Sequence, residues 1–177
     1  MGWVEYIEIS GANMRLKAKL DTGAKTSSIH AENIERFIRE DKQWVRFDLK
    51  LKGRKAYIDK AGNAHDAVPE QAVRMEKPLS RLVKIKRHKQ PSIERPVIKM
   101  PVLIAGRKHL VSFTLTDRSK FIYPVLLGRR FLKQVALVDP GKTFLTSNSS
   151  SPLPKKTGTI APNEDATKMS HNKNQMQ

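Results

Sequence analysis

Apolar and charged side chains alternate strictly at several places along this chain, and few folds accept that pattern. In MRLKAKLD, Leu16, Ala18 and Leu20 fall on one side while Arg15, Lys17 and Lys19 fall on the other. A period of two is the repeat of a β-strand with one buried face. VRFDLKLKG repeats the device, with Val45, Phe47, Leu49 and Leu51 set against Arg46, Asp48, Lys50 and Lys52. LVSFTLTD places Val111, Phe113 and Leu115 on one face. PVLIAG and YPVLLG are continuously apolar and suit strands buried on both faces. Helical spacing is confined to ENIERFIRE, where Ile34, Phe37 and Ile38 fit two turns, and to GRRFLKQVA, where Phe131, Leu132 and Val135 fit one short helix. Gly11-Ala12-Asn13, Gly53, Gly62-Asn63, Gly106 and Pro140-Gly141 read as turns between these runs. The expectation is a mostly-β domain over residues 1–145.

Two regions have a different texture. From Thr146 to Gln177 the chain is rich in Ser, Pro, Asn and Lys and has no apolar period. Such a segment buries too little surface to offset its ordering entropy, so residues 146–177 are expected to form a disordered tail. Between Arg74 and Lys99 there are nine Lys or Arg against two Glu, interrupted by Pro78, Pro91 and Pro96. Lysine and proline blunt free sheet edges, which predicts an edge hairpin or flap here rather than a core strand pair. The net charge of +17 calls for an acidic partner, whether nucleic acid, ribosome or peptide, or else serves solubility alone. The absence of cysteine excludes disulfides and thiolate metal sites. No apolar run reaches the roughly 20 residues that span a bilayer, and the N-terminus lacks the pattern of a secretory signal. A location in the cytoplasm, away from membranes, is the expectation.

Asp21-Thr22-Gly23 follows directly on the alternating strand. Asp and Gly are common turn residues, so the triplet alone says little. Small residues follow it, however, and the run YPVLLGRRFL near the far end offers a second strand ending in glycine. A carboxylate at such a turn can activate water when a second carboxylate shares its proton. No second Asp-Thr-Gly or Asp-Ser-Gly exists in the chain. If this chemistry operates, the other aspartate comes from another copy.

Taken in order, GWVEYIEI, KAKLDTGAKTSSIHA, VRFDL, RPVIKMPVLIAG, FTLTDRS, VLLGRRFL and LVDP resemble the retropepsin-like aspartic endopeptidases. The resemblance is closest to the bacterial branch labelled ATP-dependent zinc protease or RimK/LysX-associated, and it covers nearly all of residues 2–145. It implies an all-β fold, a closed β-barrel of the acid-protease type with one or two short helices. It also implies a homodimer in which Asp21 is the catalytic carboxylate of each subunit. By the same resemblance Thr22 locks the two catalytic loops together and Gly23 lets the substrate backbone approach. Ala24, Leu127 and Gly128 support the site, with Leu126-Leu127-Gly128 passing behind the catalytic loop and Arg129 opening the following helix.

Lys25 stands where viral retropepsins place an aspartate, and a cation there would draw carboxylates into the cleft. Members of the branch are linked to RimK-type ligases, which add glutamates to the C-terminus of a small-subunit ribosomal protein. The implied substrate is therefore an acidic peptide tail, with possible ribosomal-protein contact and Lys25 in substrate binding. Neither half of the branch label finds a motif. The five histidines, His30, His65, His88, His109 and His171, are scattered, and no phosphate-cradling glycine loop occurs. No metal and no cofactor are expected, and His30 is expected to be a satisfied structural histidine. Two other readings remain open: a non-catalytic retropepsin-like module that binds an acidic or ribosomal partner, and a simple RNA-binding β-domain. The basic stretch contains no aromatic residue for base stacking, which weighs against the last.

Overall fold

The computed structural model describes residues 1–53, 55–58, 62–87 and 90–146. Thirteen strands appear there: β1 Gly2–Ile9, β2 Met14–Asp21, β3 Ser27–His30, β4 Glu32–Arg39, β5 Lys42–Leu51, β6 Tyr57–Ile58, β7 Ala64–His65, β8 Gln71–Pro78, β9 Arg81–Arg87, β10 Gln90–Ile104, β11 Arg107–Thr116, β12 Val125–Gly128 and β13 Asp139–Thr143. The one helix among the described residues, α1, is Arg129–Leu132. The expected all-β class is what the structure has.

The large sheet is mixed and closes on itself. Its order runs β1-β2-β12-β3-β11-β10, and β10 returns to pair with β1 through Glu8↔Leu103 and Ile9↔Val102. Closure leaves the ring without free edges of its own. β13 is added outside β1, and β9 outside β10. The alternating residues do what period two requires: Leu16, Ala18 and Leu20 of β2, Val111, Phe113 and Leu115 of β11, and Val125 and Leu127 of β12 are all buried. A second sheet, β4-β5-β8, contributes Val45, Phe47, Leu49 and Met75 to the same core. The β10–β11 hairpin turns through Ala105 and Gly106, both at positive φ (51° and 73°), as a tight two-residue turn matched to the strand twist demands.

Four local expectations change. Ile34, Phe37 and Ile38 lie on β4, not on a helix. Ile34 packs against the core, whereas Phe37 lies on the other face, with its ring 6.5 Å from that of Trp44. Their helical spacing arose from two faces read as one. Pro140-Gly141 forms part of β13, paired in parallel with β1 across a register shift, with Gly141 N–H donating to Asp139 Oδ1 at 2.9 Å. The basic stretch is divided: β9 is an edge strand as expected, but β10 runs on into the core through Val97, Ile98, Met100, Val102 and Ile104. PVLIAG and YPVLLG bury one face fully and the other in part, since Leu103 and Leu126 are only half-buried.

Both ends of the described chain are gathered by one carboxylate. Glu5 is fully buried, and its Oε1 accepts N–H groups from Gly2 (2.7 Å), Leu145 (3.0 Å) and Thr146 (3.3 Å). A buried carboxylate is tolerated where several amides satisfy it. The tail expected from residue 146 otherwise lies outside the described residues, as do His88 and His171.

Candidate active site

β2 and β12 run side by side in parallel, with Leu20 opposite Leu127 and Asp21 opposite Gly128. The two glycine-ended runs that the chain keeps far apart thus finish at the same level. On β2, Lys19 and Asp21 point away from buried Leu20, toward the outer face of the ring. Leu126 of β12 and Ser28 of β3 share that outer face, because their neighbours Leu127, Ser27 and Ile29 are buried.

The turn after Asp21 is held by its own carboxylate. Oδ1 accepts the N–H of Gly23 at 3.0 Å and of Ala24 at 3.1 Å, a local closure available to a short acidic side chain. The loop is then tied to the other motif. Ala24 O accepts from Arg129 N–H at 2.8 Å, Lys25 O from Arg130 N–H at 3.3 Å, and Ser27 Oγ from Gly128 N–H at 3.0 Å. Two amides at the start of α1, which no helical carbonyl can receive, are thereby satisfied. Contact at Gly128 is so close that an added Cβ would sit 2.6 Å from the carbonyl of Thr26, so any side chain there would force the strand and the loop apart.

The structure therefore brings Asp21, Ala24, Leu127 and Gly128 together. Leu127 is wholly buried beneath the turn, while Thr22, Gly23 and Lys25 lie exposed along the loop. Lys25 contributes its carbonyl to the local structure, and its side chain faces solvent. Ser27 and Ser28 are cross-links: Ser27 to Gly128 and Ser28 to Arg118.

Asp21 Oδ2 lies 3.2 Å from Lys19 Nζ. Partial burial pushes the Asp21 carboxyl upward, but Lys19 and the amides of Ala24 and Gly23 together outweigh it and hold the group below its ordinary range. A carboxyl depressed in the fold stabilises the protein above its unfolded pKa, and that contribution is lost as pH falls through the depressed value. Replacing Lys19 by Met is expected to raise the Asp21 pKa, because burial then opposes only the two amides. An NMR titration of the Asp21 carboxyl carbon reads this directly; an unchanged midpoint would show that Lys19 has no hold on the group.

Arg118, in the loop between β11 and β12, lies within the FTLTDRS segment but was not among the expected site residues, and it is nonetheless part of this face. Its Nη1 donates to Ser28 Oγ at 3.0 Å and its Nε to Tyr123 O at 3.2 Å. Its backbone N–H donates to His30 Nδ1 at 2.9 Å. An accepting Nδ1 leaves the imidazole proton on Nε2, which meets Glu32 Oε1 at 3.2 Å. His30 is thus buried and satisfied, as expected from the sequence. Among the described residues no group of three or more His, Asp or Glu is placed to hold a metal ion.

A family model described as retropepsin-like aspartic endopeptidase RimB matches residues 1–149. The chain belongs to the RimB-like family. The fold expected from the resemblance is the fold of that family. Among curated proteins the RimB-like chain is 35% identical over 129 residues to a probable alpha-L-glutamate ligase of Shewanella pealeana, covering 73% of this chain and 25% of that one. A protein of the same description from Desulfotalea psychrophila is 32% identical over 125 residues, covering 71% and 24%. The chain thus spans about a quarter of the length of the curated relatives it matches. Among solved structures, a Legionella pneumophila protein of unknown function is similar at a TM-score of 0.63 and 32% identity, over 82% of this chain and 95% of that one. No helix among the described residues is long and apolar enough to cross a membrane.

Proposed function

We propose that the domain is an aspartic endopeptidase of the cytoplasm, in which two copies each contribute Asp21 to one water-activating pair. The observation that carries this reading is the locked turn: Asp21 is held by two amides, anchored to the Gly128 strand, and flanked by exposed Thr22 and Gly23. That geometry presents one carboxylate on an outer face, where a second copy can meet it. With a mate close by, the two groups could not both ionise, and one would retain the proton needed by a general acid.

The substrate we assign is an acidic peptide tail, such as a run of glutamates on a ribosomal protein. Exposed Lys25, Arg129 and Arg130 line the turn and its helix, and the whole chain carries +17. A field of that sign concentrates anionic peptides near the site. The relatives' description as probable glutamate ligases is in keeping with glutamate-bearing substrates.

One observation favours a second reading. Lys19 occupies Oδ2, the oxygen that would have to share a proton with the partner's carboxylate. A chain that keeps this ion pair would be a binding module for acidic peptides without turnover. The deciding experiment incubates the protein with a peptide ending in glutamates and follows cleavage by mass spectrometry across a range of protein concentrations. Shared carboxylates require the rate per chain to rise with concentration and then level off as the dimer saturates. Binding without cleavage at every concentration would favour the module.

A further inference from the structure

Arg118 is only 9% exposed, yet no carboxylate pairs with it among the described residues. Its acceptors are neutral, the Ser28 hydroxyl and the Tyr123 carbonyl. Burying a guanidinium with no carboxylate in direct contact is costly. Holding a loop in place requires no such charge, since a neutral donor would serve. The remaining terminal nitrogen, Nη2, makes no hydrogen bond to a described residue and is not among fully buried atoms, so it reaches solvent.

The Phe121 ring covers one face of the guanidinium, with the carbon 4.5 Å from the ring centroid. The in-plane edge is the part that matches a carboxylate with two parallel hydrogen bonds. Its position relative to Asp21 follows from the sheet. Ser28 pairs with Leu126, and Leu126 pairs with Lys19, two residues before Asp21. Strands lie about 4.8 Å apart, so Arg118 and Lys19 flank the Leu126 row at a spacing that one or two residues of extended peptide can bridge. Asp21 is also near enough for its charge to oppose the downward pull of burial on the Arg118 guanidinium.

We propose that Arg118 is a specificity residue of the Asp21 site, its open Nη2 edge receiving the side-chain carboxylate of an acidic residue next to the scissile bond. This rests on the endopeptidase reading above and adds to it the group that distinguishes glutamate from glutamine.

Two peptides that differ only by Glu or Gln at that position test it. Affinities are measured by calorimetry on the Asp21→Asn chain, which leaves the peptides intact, with and without Arg118→Gln. Turnover is measured separately on chains that keep Asp21. A charge-assisted bond of this kind is worth roughly ten- to a hundredfold. The Glu peptide is expected to bind at least about tenfold tighter than the Gln peptide, and Arg118→Gln is expected to bring the two within about twofold. In turnover the change should fall on KM, with kcat much less affected. Equal weakening of both peptides would reduce Arg118 to a loop anchor and overturn the proposal, as would a Glu preference that survives the substitution. If melting shows that Arg118→Gln does not fold, Arg118→Lys decides: the ammonium keeps the charge but not the fork, so the preference should shrink to a few-fold, and an undiminished one would overturn the proposal. A Glu preference that depends on Arg118 in a chain that never cleaves would remove the endopeptidase reading and leave the recognition intact.

Discussion

Asp21→Asn is expected to reduce cleavage of a glutamate-ended peptide by about a thousandfold or more, since it removes the acid and base of both subunits at once. Asparagine keeps the shape, and its carbonyl can still accept the N–H groups of Gly23 and Ala24. What it cannot do is share a proton with its mate. The Lys19 ion pair is also lost, but Lys19 is exposed and pairs of that kind are worth at most about 1 kcal/mol. Melting temperature should therefore change little. Peptide affinity should hold or rise, because one negative charge has left a site meant for anions. Loss of turnover with retained binding identifies the carboxylate with the chemistry, whereas turnover that persists removes Asp21 from the mechanism.

Gly128→Ala carries the second large effect, through backbone rather than charge. The added methyl would lie 2.6 Å from the Thr26 carbonyl carbon and oxygen and 2.9 Å from its nitrogen. All three are main-chain atoms, so no side-chain rotation relieves the contact. Either β12 moves away from the loop or the loop moves away from β12, and both displace Asp21 relative to its support. Overpacking of this sort costs about 1–3 kcal/mol, and small misplacements of a reacting group cost about a hundredfold in rate. Gly141→Ala is the control, since its nearest atom, Asp139 Oδ1, would be at an ordinary 3.4 Å. A Gly128→Ala chain that melts and cleaves like the parent would show that the two motifs are adjacent without depending on one another.

The strands legible in the sequence were those whose two faces differ. Lys17 and Lys19 against Leu16 and Leu20 could only be a half-buried strand, and the structure has it so. β4 was misread for a physical reason. Its turn into β5 is made by Glu40 and Asp41, both at positive φ, with neither glycine nor asparagine to announce it. A bulge between Glu32 and Glu35, where Asn33 also takes positive φ, further disturbs the alternation. The Asp21 turn and its Gly128 support were legible because both carry local signatures. Arg118 was not, since its place depends on a loop folding back onto Ser28, 90 residues earlier. No periodicity within TDRSK reports such an encounter.

The cluster of amides around Glu5 has a consequence for architecture. Residue 2 and residue 146 meet at one carboxylate, so the polypeptide enters and leaves this domain at a single point. A unit with adjoining termini can be inserted into a larger protein, or have its ends joined and be reopened at a surface turn, without surrendering a strand. Evolution can move such a unit between hosts as a cassette, and an engineer can do the same.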